Sequence, residues 1–329
     1  MPSGGARALT VVGLLFFVLC APAHSAQSDY PARPIRLIVP YPPGGGADAL
    51  ARVLTPKLSD SMKQTWVVDN RGGSGGVIGT ELATKAQPDG YTALLGVNVA
   101  ALTVSPTLYP NLTFSVIRDL QPVTKIASAQ YIFTVHPSLP AATVSEFIAL
   151  AKRTPGKINY GSSGVGSPQH LAAELLKFRA GIDLVHVAYK GGGPAALALL
   201  AGEVQVVFNS FASTLPQVKA GKLRALAVTG PKRSVVAPDF PTVAESGFPG
   251  FDVTSWYALL VPAKTPPAVV RRLYDETVRA VRLPDVREAF SRQGQEVDTS
   301  ASPEELDALI RAETASWAKL IKAAGIKGE

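Results

Sequence analysis

The chain has 329 residues, 47% of them hydrophobic and 17% charged, with a formal net charge of +7. That composition excludes a disordered, collagen-like or coiled-coil chain, and the length points to two globular domains with sizeable cores. The charge bears on solubility and on encounter with acidic partners, not on fold.

The N-terminus reads as a secretory leader. Arg7 precedes an apolar run from Leu9 to Cys20, and small residues follow as far as Ala26. This three-part pattern fits a signal peptide, and the run is shorter than the roughly 20 residues a membrane span needs. Cleavage is expected after Ala26 or Ala23. It removes Arg7 and Cys20, the only cysteine, so the mature chain carries +6 and has no thiol or disulfide chemistry. Leu19 stands before Cys20 where lipidation would call for a small residue. No later stretch is apolar and long enough to cross a bilayer, so a soluble periplasmic product is expected.

The mature chain alternates β-branched runs with helical patterns, as α/β proteins do. Strands are expected at 35–39, 66–68 and 92–97, the last ending at Asn98. Between the first two, Asp48 is placed to cap a helix carrying Leu50, Val53, Leu54 and Leu58, with Pro56 able to kink it. A second region begins near Ala129 with a strand at 131–135. Thr143-Val-Ser-Glu146 forms a capping box. Strands follow at 157–160, 185–188, 204–208 and 223–229, and Ser167 caps a helix that has Pro168 in its first turn. A Pro- and Gly-rich stretch then contains a strand at 256–261, and helices are expected over 268–281 and 303–323.

A strand, a glycine-rich loop and a helix recur in that order at 35–58, 66–84, 157–178 and 185–201. Such loops suit anions, because the first-turn amides of a helix lack partners, its dipole is positive there, and glycine admits close approach. In open α/β sheets ligands bind at this edge. Two loops in each domain therefore suggest a cleft that grips an anion from both sides.

Enzyme motifs compete with this reading. Gly72-Gly-Ser-Gly-Gly76 matches a nucleophile elbow around Ser74, and His136, His170 and His186 are the mature histidines. None of them lies in the long C-terminal loop such a hydrolase uses. Gly191-x-Gly193 only loosely resembles a dinucleotide fingerprint and lacks the acidic residue that would follow it. The spacings show no phosphate-binding loop, metal site or cofactor site, and the aromatic residues are not interleaved with basic clusters as nucleic-acid binding requires.

The chain resembles the periplasmic solute receptors of tripartite tricarboxylate transporters, the Bug-type receptors. The resemblance rests on Tyr41-Pro-Pro-Gly-Gly-Gly-Ala-Asp48, Asn70-Arg-Gly-Gly-Ser-Gly-Gly-Val-Ile-Gly79, Gln87-Pro-Asp-Gly-Tyr91 and Tyr160-Gly-Ser-Ser-Gly-Val-Gly-Ser-Pro-Gln-His170. Tyr189-Lys-Gly-Gly-Gly-Pro-Ala195, Gly221-Lys-Leu-Arg-Ala-Leu-Ala-Val-Thr229, Pro241-Thr-Val-Ala-Glu-Ser-Gly247 and Gly325-Ile-Lys327 continue it in order.

The resemblance implies a two-domain, Venus-flytrap α/β fold of the type II-like periplasmic-binding class, with the ligand in a cleft between the lobes. Domain 1 would combine 27–128 with 252–329, domain 2 would be 129–251, and crossovers near Ala129 and Thr254 would form the hinge. It also implies a small organic carboxylate as ligand, membrane subunits of the transporter as partners, a monomer, no cofactor and no catalysis. Tyr41, Pro43, Gly44, Gly45, Ala47 and Asp48 would form the first wall, with Asp48 ordering the loop rather than touching the anion. Asn98 would close that side. Ser162, Ser163, Gly164 and Ser167, with Tyr189, Gly191 and Gly192, would come from the other domain, and Ser162, Ser163 and Asn98 would supply neutral donors. Asn209 stands where related receptors often carry Asp, which favours a carboxylate without an amino group. A sensor-kinase receptor and a hydrolase using Ser74 remain as alternatives.

Overall fold

The structure, a computed structural model, describes Met1, residues 30–109 and residues 111–326. Apart from Met1, the expected leader, its cleavage positions and Cys20 lie outside the described residues.

The first lobe opens with β1 (Ile35–Val39), α1 (Gly46–Met62), β2 (Trp66–Asn70), α2 (Val77–Thr84) and β3 (Thr92–Val97), followed by the short helices α3 (Ser105–Leu108) and α4 (Val116–Asp119) and by β4 (Leu120–Ala129). In α1 the fully buried Leu50, Leu54 and Leu58 face the sheet. Pro56 lies on the exposed face, and the helix runs through it from Gly46 to Met62. The N-cap of α1 is Gly45 rather than the expected Asp48, which lies in the first turn. β4 was not expected from the sequence. Its Pro122 breaks the strand pattern and is accommodated beside a register shift.

The second lobe comprises β5 (Tyr131–Val135), α5 (Val144–Arg153), β6 (Asn159–Ser162), α6 (Pro168–Ala180), β7 (Val185–Ala188), α7 (Gly192–Ala201), β8 (Val206–Ser210), α8 (Phe211–Lys219) and β9 (Arg224–Val228). The expected caps are formed. Thr143 Oγ1 accepts from Glu146 N at 3.1 Å, and Ser167 Oγ accepts from His170 N at 3.3 Å. The chain then returns through β10 (Ser255–Pro262), α9 (Pro267–Val281), α10 (Pro284–Arg292), β11 (Gln295–Val297) and α11 (Pro303–Ala323).

Two sheets result, in the orders β11-β4-β10-β3-β1-β2 and β7-β6-β8-β5-β9. In the first, β1, β2 and β3 are parallel, and β10 is antiparallel to both β3 and β4. β4 therefore leaves the sheet at Ala129 on the edge where β1, β2 and β3 end. β10 and β11 begin at that same edge, since Ser255 and Gln295 both lie opposite Ala129. In the second sheet β6, β7 and β8 run antiparallel to β5. Their C-terminal ends thus lie where β5 enters. The crossover places the glycine loops of both lobes on facing edges.

Thr229 ties the two crossover segments together. Its hydroxyl accepts from Tyr131 N at 3.0 Å and donates to Val253 O at 2.8 Å. Each lobe has its own apolar core, with Ile38, Leu94 and Leu260 in one and Phe133, Phe147 and Phe208 in the other. α11 bridges them. Leu306 and Ile310 belong to the first core, whereas Trp317 and Leu320 pack against the second.

Candidate functional site

The loop after β1 is shaped from behind. Asp48 is 3% exposed, and its carboxylate accepts from Gly44 N at 2.9 Å, Arg52 Nε at 2.9 Å and Asn70 Nδ2 at 3.0 Å. Burial works to raise its pKa, but these bonds outweigh burial and hold the carboxyl below the usual range. Asn70 also donates to Tyr41 O at 3.1 Å, and Tyr41 Oη donates to Gly75 O at 3.3 Å. Asp48 and Asn70 thus spend their polar atoms inside the loop. Pro43, Gly44 and Gly45 are exposed on its rim, while Ala47 is buried beneath it. No side chain caps α1, whose first internal bond is Ala49 N to Gly45 O. The amides of Gly46, Ala47 and Asp48 therefore lie ahead of the helical ladder.

Asn98 is directed away from the role expected of it. Its side chain is 1% exposed and fully engaged, donating to Thr254 O at 3.3 Å and Glu313 Oε2 at 3.0 Å and accepting from Trp256 N at 3.0 Å. Trp256 Nε1 donates to Glu313 Oε1 at 2.8 Å. Burial raises the pKa of Glu313, with the bonds from Trp256 and Asn98 opposing the rise. Asn98 therefore links the end of β3 to α11 and the second crossover.

In the second lobe Ser162 is fully buried, and its Oγ shares a 2.6 Å hydrogen bond with His186 Nε2 and accepts from Gly164 N at 3.1 Å. His186 stacks on His170 at 4.3 Å and on Tyr160 at 4.8 Å. His170 Nδ1 accepts from Gly166 N at 3.1 Å. Two neutral imidazoles thus brace the loop 162–167 from beneath. Ser163 lies at the surface of that loop, half-buried, and donates to Gln169 Oε1 at 2.8 Å. Ser167 is committed to capping α6. Tyr189 contributes backbone to the loop, its N–H donating to Ser162 O at 2.9 Å, while its hydroxyl is bonded to Glu203.

Gly191 is the N-cap of α7, again without a side-chain cap. Asn209 Nδ2 donates to Gly192 O at 2.8 Å, and its Oδ1 accepts from Ser210 N at 2.9 Å. A Cβ at Gly192 would stand 2.9 Å from Asn209 Oδ1, so the close approach requires glycine there. Asn209 positions the N-terminus of α7, and both its polar groups are used in doing so.

The lobes meet beside these loops. Val99, Val104 and Leu108 of the first lobe pack with Leu171 of the second and with Ile321 of α11. Where the crossovers form the floor, Tyr131 Oη donates to Ser255 Oγ at 2.7 Å, and burial, with Tyr257 close by, raises the pKa of the Tyr41 and Tyr131 phenols. Burial pushes Tyr257 up to about 12, with the neighbouring Gln295 amide opposing the rise. The sequence offered no signal for Tyr257, Gln295 or His186, because none lies in a glycine loop. Asn70 does lie in such a motif. A separate cavity of about 380 Å³, lined by Gln130, Lys232, Asp252 and Glu296, lies on the β11 side of the crossovers, away from the glycine loops.

Ser74 is exposed, and its backbone has a positive φ of 46°. Among the described residues no histidine bonds to it: His136 pairs with Ser138, His170 with Gly166 and His186 with Ser162. The described residues hold no group of three or more His, Cys, Asp or Glu placed to bind a metal ion.

Residues 50–326 match the family described as the tripartite tricarboxylate transporter family receptor. The chain belongs to this family. It is 37% identical over 321 residues to protein BugT of Bordetella pertussis, covering 98% of each chain. Rpa4515 of R. palustris, solved with adipate, superposes with a TM-score of 0.85 at 33% identity, over 92% of this chain and 100% of that one. MatC of Rhodopseudomonas palustris, solved with bound malate, superposes with a TM-score of 0.82 at 28% identity, over 89% and 100%. The architecture is that of the family, a two-lobed α/β periplasmic binding protein.

Proposed function

We propose that this chain is a periplasmic receptor that captures a small organic carboxylate between its lobes and delivers it to the membrane subunits of a tripartite tricarboxylate-type transporter. The observation that carries the reading is the pair of uncapped helix N-termini, α1 and α7, each following a glycine loop on facing sheet edges. Their free amides supply donors and partial positive charge to an anion without a counter-charged side chain. Relatives solved with adipate and malate support the same ligand class. Family membership supports export, and among the described residues no helix is long and apolar enough to cross a membrane.

The lobes, 27–128 with 252–329 and 129–251, close on the ligand by population shift, since only the closed form lets it touch both walls. The receptor acts as a monomer. Asn209 adds no negative charge at the second wall, which favours a carboxylate without an amino group.

Thermal unfolding of the mature protein against a panel of organic carboxylates and amino acids tests this. A ligand at 100 times its dissociation constant adds about 2.7 kcal/mol of stability. A shift of several degrees confined to carboxylates is expected. A flat response before and after refolding from denaturant, or a response confined to amino acids, sinks it.

A further inference from the structure

Gln295 is the first residue of β11 and lies opposite Ala129, so it stands on the sheet edge that carries the glycine loops. It is 3% exposed, and its Nε2 donates to Gly46 O at 3.1 Å, in the first turn of α1. That bond sets the amide's orientation, since Gly46 O can only accept. Gln295 Oε1 is buried and has no hydrogen-bond partner among the described residues. Tyr257 comes to the same point from β10: a Cβ on Gly46 would stand 2.9 Å from Tyr257 Oη. The next residue, Glu296, lines the cavity behind the crossovers, as strand alternation requires.

A buried amide oxygen left without a donor is costly, and native proteins rarely retain one that nothing uses. An acceptor here repels carboxylate oxygens, so it does not hold the anion. It selects a donor on the ligand body while the amides of α1 hold the carboxylate. A neutral acceptor suits a neutral donor. The nearby carboxylate of Asp48, which could have met an ammonium, is spent on Arg52, Asn70 and Gly44.

We propose that Gln295, flanked by Tyr257, is a specificity-determining residue at the floor of the cleft, and that it reads a hydroxyl on the ligand, making the ligand a hydroxy-carboxylate. This rests on the receptor reading above.

Titration calorimetry on the refolded mature chain tests it with matched pairs: malate and succinate, lactate and propionate, 3-hydroxybutyrate and butyrate, 4-hydroxybenzoate and benzoate. For the pair that fits the cleft, the hydroxylated member binds roughly five- to tenfold more tightly. Gln295→Met, close in size and without the acceptor, removes that preference by weakening the hydroxylated member more than the unsubstituted one. Tyr257→Phe keeps the ring and narrows the preference less. Equal affinities within every binding pair, tighter binding of aspartate than of malate, or equal weakening of both members by Gln295→Met overturns the inference and leaves the receptor standing. If no carboxylate binds, both fall.

Discussion

Asn98 Nδ2 lies 3.0 Å from Glu313 Oε2, joining the end of the third strand of the first lobe to a helix whose far half packs on the second lobe. The same asparagine accepts from Trp256 N, just past the second crossover. The pair thus joins the first lobe, the second crossover and the bridging helix.

Asn98→Ala leaves Trp256 N–H and one Glu313 oxygen without partners in a buried setting. The expected loss is about 2 kcal/mol of unfolding free energy in a urea titration. Carboxylate affinity falls less than it does for variants in the glycine loops. A variant as stable as the parent would show that the pair contributes nothing to the fold.

Glu313 makes stability pH-dependent. Burial raises its folded pKa above the ordinary 4.5, so between 4.5 and the raised value the folded state holds the proton more tightly than the unfolded state. Its contribution is complete below 4.5 and is lost as pH rises through the folded pKa. Unfolding free energies of the parent and of Glu313→Gln, measured from pH 4 to 8, should therefore converge or cross in that window. Parallel curves would place the Glu313 pKa at its ordinary value.

His170 acts in the opposite direction. Burial, followed by electrostatic repulsion of a proton by His186 and Lys177, lowers its pKa from 6.5 to about 3. Glu174, the acid facing this stack, is bonded to Tyr160 Oη and Lys177 Nζ. The unfolded chain takes up a proton below 6.5 that the folded chain refuses, so stability falls as pH drops from 6.5 toward 3. At pH 5 this one group costs about 2 kcal/mol. Proton NMR of the His170 ring should show no titration down to pH 4. A midpoint near 6 would contradict the packing described for it.

Asp48→Ala removes three hydrogen bonds from a buried carboxylate that organises the loop after β1. About 2 kcal/mol of stability should be lost, because Gly44 N–H returns to water while Asn70 is left partly unpaired. Carboxylate affinity should drop at least tenfold, since the loop that aims the α1 amides is no longer held. Unchanged affinity in calorimetry would separate the loop from the binding site.

Local signals on the chain were strong where they were chemical. Thr143 and Ser167 cap the helices they were read to cap, and the strands at 35–39, 92–97, 131–135 and 185–188 stand as read. Asp48 was placed in the loop-ordering role it plays, though not at the cap position. The strand over 120–129 was missed because Pro122 and Lys125 break its apolar pattern, and only pairing with β10 makes it a strand.

The sequence by itself determined the α/β alternation and the glycine loops, because these follow from residue type over a few neighbouring positions. Tertiary structure alone decided which polar groups are already committed to partners within the chain. Asn98 and Ser162 each read as a free donor along the chain, yet each is spent on a group distant in sequence: Glu313 and His186. Gln295 carries no signal in the sequence, and the fold buries it against Gly46, 249 positions away, with one oxygen left over. A hydrogen-bonding group has a fixed capacity, and only the folded chain shows where that capacity has gone.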